Sequence, residues 1–187
     1  MLYQETAIAG VWVVELDRKA DSRGYFARVF CQDEFAKRGL CTDVNQVNVG
    51  HNTRKGTVRG VHFQYPPHGE VKLVRATRGA VLDVAVDLRP ESPTYLKHVA
   101  VELSDENGKA LYVPERCGHG YQTLVDGTDL LYFTSRPWAP GFDDGLSPLD
   151  PALGLAWPLE VSELSAKDRG AKPFGEKREE LERRMRI

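Results

Sequence analysis

The chain has 187 residues, a formal net charge of −2 and three cysteines. That length suits one domain with a sizeable core. The near-neutral charge gives no bulk attraction to nucleic acid or to a membrane surface, so any anionic ligand must be met by local basic residues. The opening M-L-Y-Q-E-T-A-I has neither the charged nor the apolar region of a secretory signal, and no apolar run reaches the length of a membrane span. Cys31, Cys41 and Cys117 are odd in number and follow no metal-ligand spacing, which fits a reducing cytoplasm.

In chain order, the first helical pattern is Asp33–Arg38, stopped by Gly39. Arg59–Gln64 (R-G-V-H-F-Q) reads as a strand that carries ionisable groups, and Lys72 follows in V-K-L-V. From Val71 to Arg89 two alternating runs are broken by a turn at Arg78-Gly79. In the second run Leu82, Val84, Val86 and Leu88 share one face, and Asp83 and Asp87 the other. Val99, Val101 and Leu103 alternate likewise, and Ser104–Gly108 reads as a turn. Leu111–Val113, His119–Val125 and Leu130–Thr134 continue the series. Many short strands at roughly ten-residue spacing predict an all-β sandwich or barrel. Pro137–Pro158, with Trp138, Trp157 and five prolines, is expected to cover one end. The tail Gly175–Ile187 reads as a solvated peripheral helix carrying Leu181, Met185 and Ile187.

The candidate chemistry is concentrated between Arg59 and Lys72. A buried cation is costly unless paired. A histidine there can move protons near neutral pH, and the ammonium and guanidinium can hold anions. Strict alternation would place Arg59 and His62 on opposite faces, but Gly60 permits a bulge that brings both to one side. His119 reads equally as structural or catalytic. Tyr132 alternates with Leu130 and Thr134 and, if buried, needs a partner for its hydroxyl. Asp83 and Asp87 read as partners for arginines, and Asp168, in S-A-K-D-R-G, as a turn or helix-start residue. Cys117 would be a nucleophile only beside a base; His119 lies two residues on, but no further thiol-activating pattern appears.

The spacing Gly56-x5-His62-x-Gln64-x5-Glu70 resembles the first cupin motif. Gly108-x5-Pro114-x4-His119 resembles the second, with Arg116 where a glycine is usual. Metal-binding cupins supply H-x-H in the first motif. Gln64 replaces the second histidine here and leaves His62, Glu70 and His119 at most, so no metal is expected. No dinucleotide or P-loop fingerprint appears, and no cofactor is expected.

From Asp21 to roughly Arg169 the motifs are ordered and specific: D-S-R-G-Y-F, Q-V-N, K-G-T-V-R-G-V-H-F-Q, K-L-V, G-A-V-L-D-V-A-V-D-L-R and S-P-T, then Pro114-x4-His119-Gly120, Tyr132, Asp150-Pro151, Trp157-Pro158 and S-A-K-D. In these the chain resembles the dTDP-4-dehydrorhamnose 3,5-epimerases. The resemblance implies a cupin-type jelly roll with short peripheral helices, a homodimer, no metal, and a nucleotide-linked 4-keto-6-deoxy sugar as substrate. It also implies an isomerase in which His62 is the general base at C3 and C5 and Asp168 orients it. Tyr132 returns a proton from the opposite face, and Lys72 steadies the enolate at the C4 oxygen. Arg23 and Arg59 are expected at the diphosphate, and Phe26, Gln46, Asn48, His119 and Trp138 elsewhere along the substrate.

Departures from the family pattern are Arg28 for a usual glutamate, Gly50 for a common serine, Trp138 for a tyrosine near the nucleotide base, and Asp143 for glutamate. They fall mainly in the nucleotide-binding part. Three other readings therefore stay open. One is the same chemistry on another nucleotide sugar or at one centre only. The others are a non-catalytic sugar-binding cupin and a metal-dependent cupin enzyme.

Overall fold

The computed structural model describes residues 1–186. Its strands are β1 (Leu2–Glu5), β2 (Trp12–Glu15), β3 (Lys19–Asp21), β4 (Gly24–Phe26), β5 (Gln46–Asn52), β6 (Thr57–Gln64), β7 (Lys72–Arg78), β8 (Ala80–Asp87), β9 (His98–Ser104), β10 (Lys109–Val113), β11 (Cys117–Thr123), β12 (Thr128–Thr134), β13 (Asp143–Gly145) and β14 (Glu163–Leu164). The helices are α1 (Gln32–Ala36), α2 (Ala166–Arg169) and α3 (Phe174–Arg184). One sheet runs β1-β2-β10-β7-β12-β5. The second runs β13-β6-β11-β8-β9, with β14 parallel to β6, and β3–β4 form a separate hairpin. This is the all-β jelly roll that the motifs imply. No described helix is long and apolar enough to cross a membrane.

The strand predictions for the middle of the chain hold closely. Gly79 makes the β7–β8 turn at φ +73°, where an added Cβ would stand 2.6 Å from Thr128 Oγ1. Between the sheets Val13, Val74, Ala76, Leu111 and Leu130 meet Val81, Ala85, Leu103 and Tyr121. The two-faced reading of β8 holds. Val81, Asp83 and Ala85 face this inner layer, while Val86 and Leu88 pack outward, so both faces of the strand are buried. Asp87 pairs with Arg89 at 2.7 Å as expected of an aspartate beside an arginine, but Asp83 pairs with His119.

What covers the outer face of the second sheet is the C-terminal tail. Phe174, Leu181 and Met185 are buried against Val61, Phe63, Tyr65, Val86 and Leu88, together with Leu146 and Leu153 from the proline-rich cover. The tail is thus part of a core and not the solvated helix its charges suggest. Its polar side keeps the ion pairs Arg178–Glu182 and Arg184–Glu180 in the outward i,i+4 pattern. Ile187 lies outside the described residues. Asp150 links the cover to the tail: Oδ1 accepts from Ala152 N at 2.9 Å and Oδ2 from Phe174 N at 2.5 Å.

Candidate active site

Both sheets contribute to one cleft of about 250 Å³. Asn48 and Gly50 of β5, Lys72 of β7 and Tyr132 of β12 come from the first sheet. Arg59 and His62 of β6 and His119 and Tyr121 of β11 come from the second. Two further clefts, of about 390 and 500 Å³, also reach His62, and Arg59 borders the larger.

Arg59 and His62 share this wall because β6 is bulged. His62 pairs with His119 and Arg59 with Tyr121, so three steps on β6 oppose two on β11. The bulge sits at Gly60, φ +118°, where a Cβ would lie 2.5 Å from Gly120 Cα and 2.6 Å from His119 O. Only glycine fits there, and the side-chain switch anticipated from Gly60 is what the register produces.

Asp168 stands behind His62. Its Oδ1 lies 2.5 Å from His62 Nε2, and it is only 3% exposed. The local reading of Asp168 as a helix-start residue is right as far as it goes. Ser165 caps α2, its Oγ accepting from Asp168 N at 3.0 Å, and that cap aims the carboxylate at a histidine 106 residues earlier. Burial alone would raise the Asp168 carboxyl, but hydrogen bonds from His62, Ser165 and Gly60 and the His62 charge hold it below the usual carboxylate range. The pair leaves His62 Nδ1 unbonded by the carboxylate.

Tyr132 has its phenol pushed well above the ordinary value, chiefly by burial and next by neighbouring Tyr121. Tyr132 is partly buried, and Tyr121 stands beside it on the cleft wall. His119 Nε2 meets Asp83 Oδ1 at 2.8 Å, and burial raises the Asp83 carboxyl against the pull of His119 and Lys72. Lys72 Nζ is 3.0 Å from Glu70 Oε1, so the ammonium sits in the cleft with a counter-charge beside it. Cys117 is buried and its thiol is pushed up to about 12, chiefly by desolvation, while His119 is committed to Asp83. A thiolate nucleophile has no support here.

The metal-motif positions are likewise committed within the protein. Gln64 donates to the carbonyls of His68 and Pro137 and accepts from Ala139 N. Among the described residues no three His, Cys, Asp or Glu side chains gather as a metal would require. Arg116, at the usual glycine position, has φ +64°. Its guanidinium is tied to Glu91 Oε1 at 2.6 Å and to Met185 O at 2.5 Å.

Four predicted substrate residues are not in the cleft wall. The Arg23 side chain is 88% exposed and pairs with Asp21, and Phe26 is 77% exposed, both on the β3–β4 hairpin. Gln46 lies at the exposed start of β5. Trp138 is 64% exposed, and the Asp143 carboxylate, held below the usual range chiefly by Lys167, meets that lysine at 2.8 Å. Conversely, Tyr121 and Asn52 belong to the site's hydrogen-bonded frame and are not assigned by the sequence, while Glu70, a metal-motif position there, pairs with Lys72 and Asp83, an arginine partner there, pairs with His119.

A base on one sheet and a phenol on the other, with an ammonium between, suit proton removal and return on opposite faces of a carbon beside a carbonyl. The comparisons with known proteins identify the family. The family model described as dTDP-4-dehydrorhamnose 3,5-epimerase matches residues 5–176. A dTDP-4-dehydrorhamnose 3,5-epimerase of Sinorhizobium fredii is 44% identical over 169 residues, 90% of this chain and 87% of that one. A dTDP-4-dehydrorhamnose 3-epimerase of Streptomyces niveus is 38% identical over 180 residues, 96% and 86% respectively. The crystal structure of NovW, a 4-keto-6-deoxy sugar epimerase of Streptomyces spheroides, superposes with TM-score 0.92 at 37% identity, covering 97% of this chain and 92% of that one. The chain belongs to the dTDP-4-dehydrorhamnose 3,5-epimerase family of isomerases.

Proposed function

We propose that the chain, acting as one domain over residues 1–187, inverts C3 and C5 of dTDP-4-dehydro-6-deoxy-D-glucose to give dTDP-4-dehydro-L-rhamnose in the cytoplasm, with no cofactor. The observation that carries this reading is the His62–Asp168 pair facing a cleft whose opposite sheet supplies Tyr132. Asp168 accepts from His62 Nε2–H, so Nδ1 carries the lone pair. Nδ1 takes the proton from C3 or C5, made acidic by the C4 ketone. The C–H electron pair moves into the enolate, whose oxygen lies beside Lys72. The Tyr132 O–H then protonates the same carbon from the other face. Arg59 meets the diphosphate, since a guanidinium offers paired donors to phosphate oxygens, and Asn48 and His119 line the sugar.

The substrate class rests on the names of the relatives, and the NovW likeness extends it to 4-keto-6-deoxy sugars in general. Inversion at C3 alone is the second reading, favoured by the Streptomyces niveus relative named as a 3-epimerase. In deuterium oxide, NMR of dTDP-4-keto-6-deoxyglucose incubated with the protein separates the two. Deuterium at both carbons with an inverted product supports the first reading, and deuterium at C3 alone the second. No exchange by folded protein removes both.

The reading includes a homodimer. Edge strand β5 exposes Val47 and Val49 (68% for Val49), and the hairpin bearing Arg23 and Phe26 presents Tyr25 and Phe26 to solvent. An unpaired apolar edge needs covering. A second copy would cover it and would give the hairpin residues a neighbouring cleft to enter.

A further inference from the structure

Behind Tyr132 lies a second phenol. Tyr121 of β11 is buried and shares the cleft wall with Tyr132. Tyr121 donates to Asn52 Oδ1 at 3.1 Å, and the same oxygen accepts from Arg59 Nε at 3.0 Å. Asn52 is buried as well. Its Nδ2 donates to Thr128 O at 3.3 Å, which fixes the orientation of the carboxamide. Contacts therefore run Tyr121–Asn52–Arg59 beside Tyr132, with one carbonyl oxygen shared by two donors.

When Tyr132 gives its proton to carbon, a phenolate is left in a partly buried place, and it is costly without a donor. The charged and titratable groups around it are Tyr121 and His119 of β11, Asp83 of β8, Arg59 of β6 and Lys72 of β7. Asp83 opposes the new charge, His119 is bonded to Asp83, and Lys72 faces Glu70 and the cleft. Tyr121 has a donor that can be released at little cost, because Asn52 Oδ1 keeps Arg59 Nε when the phenol turns away. Burial also raises the Tyr121 phenol, which keeps that proton in place.

We propose that Tyr121 is a positioning residue for inversion: its O–H turns from Asn52 Oδ1 to the Tyr132 oxygen as Tyr132 protonates the substrate carbon. Tyr121 lends a hydrogen bond and keeps its proton, since Asn52 has no acidic proton to replace it. Tyr132 recovers its proton from water, and His62 returns the one it took to water. The inference deepens the reading of Tyr132 as the acid and rests on it.

The test compares two quantities in deuterium oxide with dTDP-4-keto-6-deoxyglucose. Deuterium wash-in with retained configuration reports proton removal and return by His62, and inverted product reports delivery by Tyr132. Their ratio belongs to each folded molecule, so partial unfolding of a variant leaves it unmoved. Tyr121→Phe should lower inverted product per exchange event by about 10- to 100-fold, the range for one hydrogen bond to a charged group. Tyr132→Phe should lower it further. An unchanged ratio in Tyr121→Phe, with a lowered one in Tyr132→Phe, overturns the inference and leaves the acid in place. Unchanged ratios in both overturn the acid assignment and the inference with it.

Discussion

At the scale of single residues, the site depends on groups whose environments differ sharply over a few ångströms. Asp168 is held as a carboxylate by His62, Ser165 and Gly60 despite burial. Its folded value lies below 3.8, so the stabilisation it lends is complete above that pH and is lost as pH falls through the lowered value. Urea melts across a pH series should therefore show the gap between the protein and Asp168→Asn closing only in acid. A gap of constant size would contradict the assignment. Gly50 is a second case. A Cβ there would lie 3.2 Å from Tyr132 Cε2 and 3.7 Å from its hydroxyl. Gly50→Ala should fold normally but displace the ring by a few tenths of an ångström, lowering kcat about 3- to 30-fold with KM little changed. An unaltered kcat would show that the ring's placement is not critical. The departure at Gly50 was visible in the sequence. Its contact with Tyr132 was not, because cross-strand pairing of β5 with β12 creates it.

At the scale of elements, the bulge in β6 and the tail decide where the site residues stand. Gly60 was legible as a bulge because strict alternation would part Arg59 from His62 and a glycine lies between them. The burial of the tail was not, because α3 is mostly charged and its few apolar residues do not announce a partner. Arg116 ties the two levels together, its guanidinium reaching from a left-handed backbone position to the last turn of the tail. Leu181→Ala should cost about 2–5 kcal/mol of unfolding free energy, as for a fully buried leucine. Chemical denaturation measures this, and a loss below about 0.5 kcal/mol, the usual limit for surface changes, would return the tail to the solvated helix expected from its charges.

At the scale of the molecule, the all-β class was legible from strand spacing and turns, whereas the strand order and the first-sheet edge β5 were not. Its alternation is short and inverted, with Val47 and Val49 exposed and Asn48 and Gly50 on the cleft, and it takes its place only by pairing with β12. That edge carries the prediction about assembly. Sedimentation should find a dimer, and Val49→Glu should shift it toward monomer and lower turnover, because Arg23 and Phe26 would lose their neighbouring cleft. A monomeric protein with full activity would contradict this.

The central claim is that His62, steadied by Asp168, removes the substrate proton. The direct measurement is deuterium exchange into dTDP-4-keto-6-deoxyglucose by His62→Ala, with binding of the same nucleotide sugar followed in the same preparation. The account predicts exchange at both carbons reduced by about 10²- to 10⁴-fold, the usual worth of a positioned proton-transfer group, with affinity kept within a few-fold. Exchange at the unaltered rate by His62→Ala would contradict it.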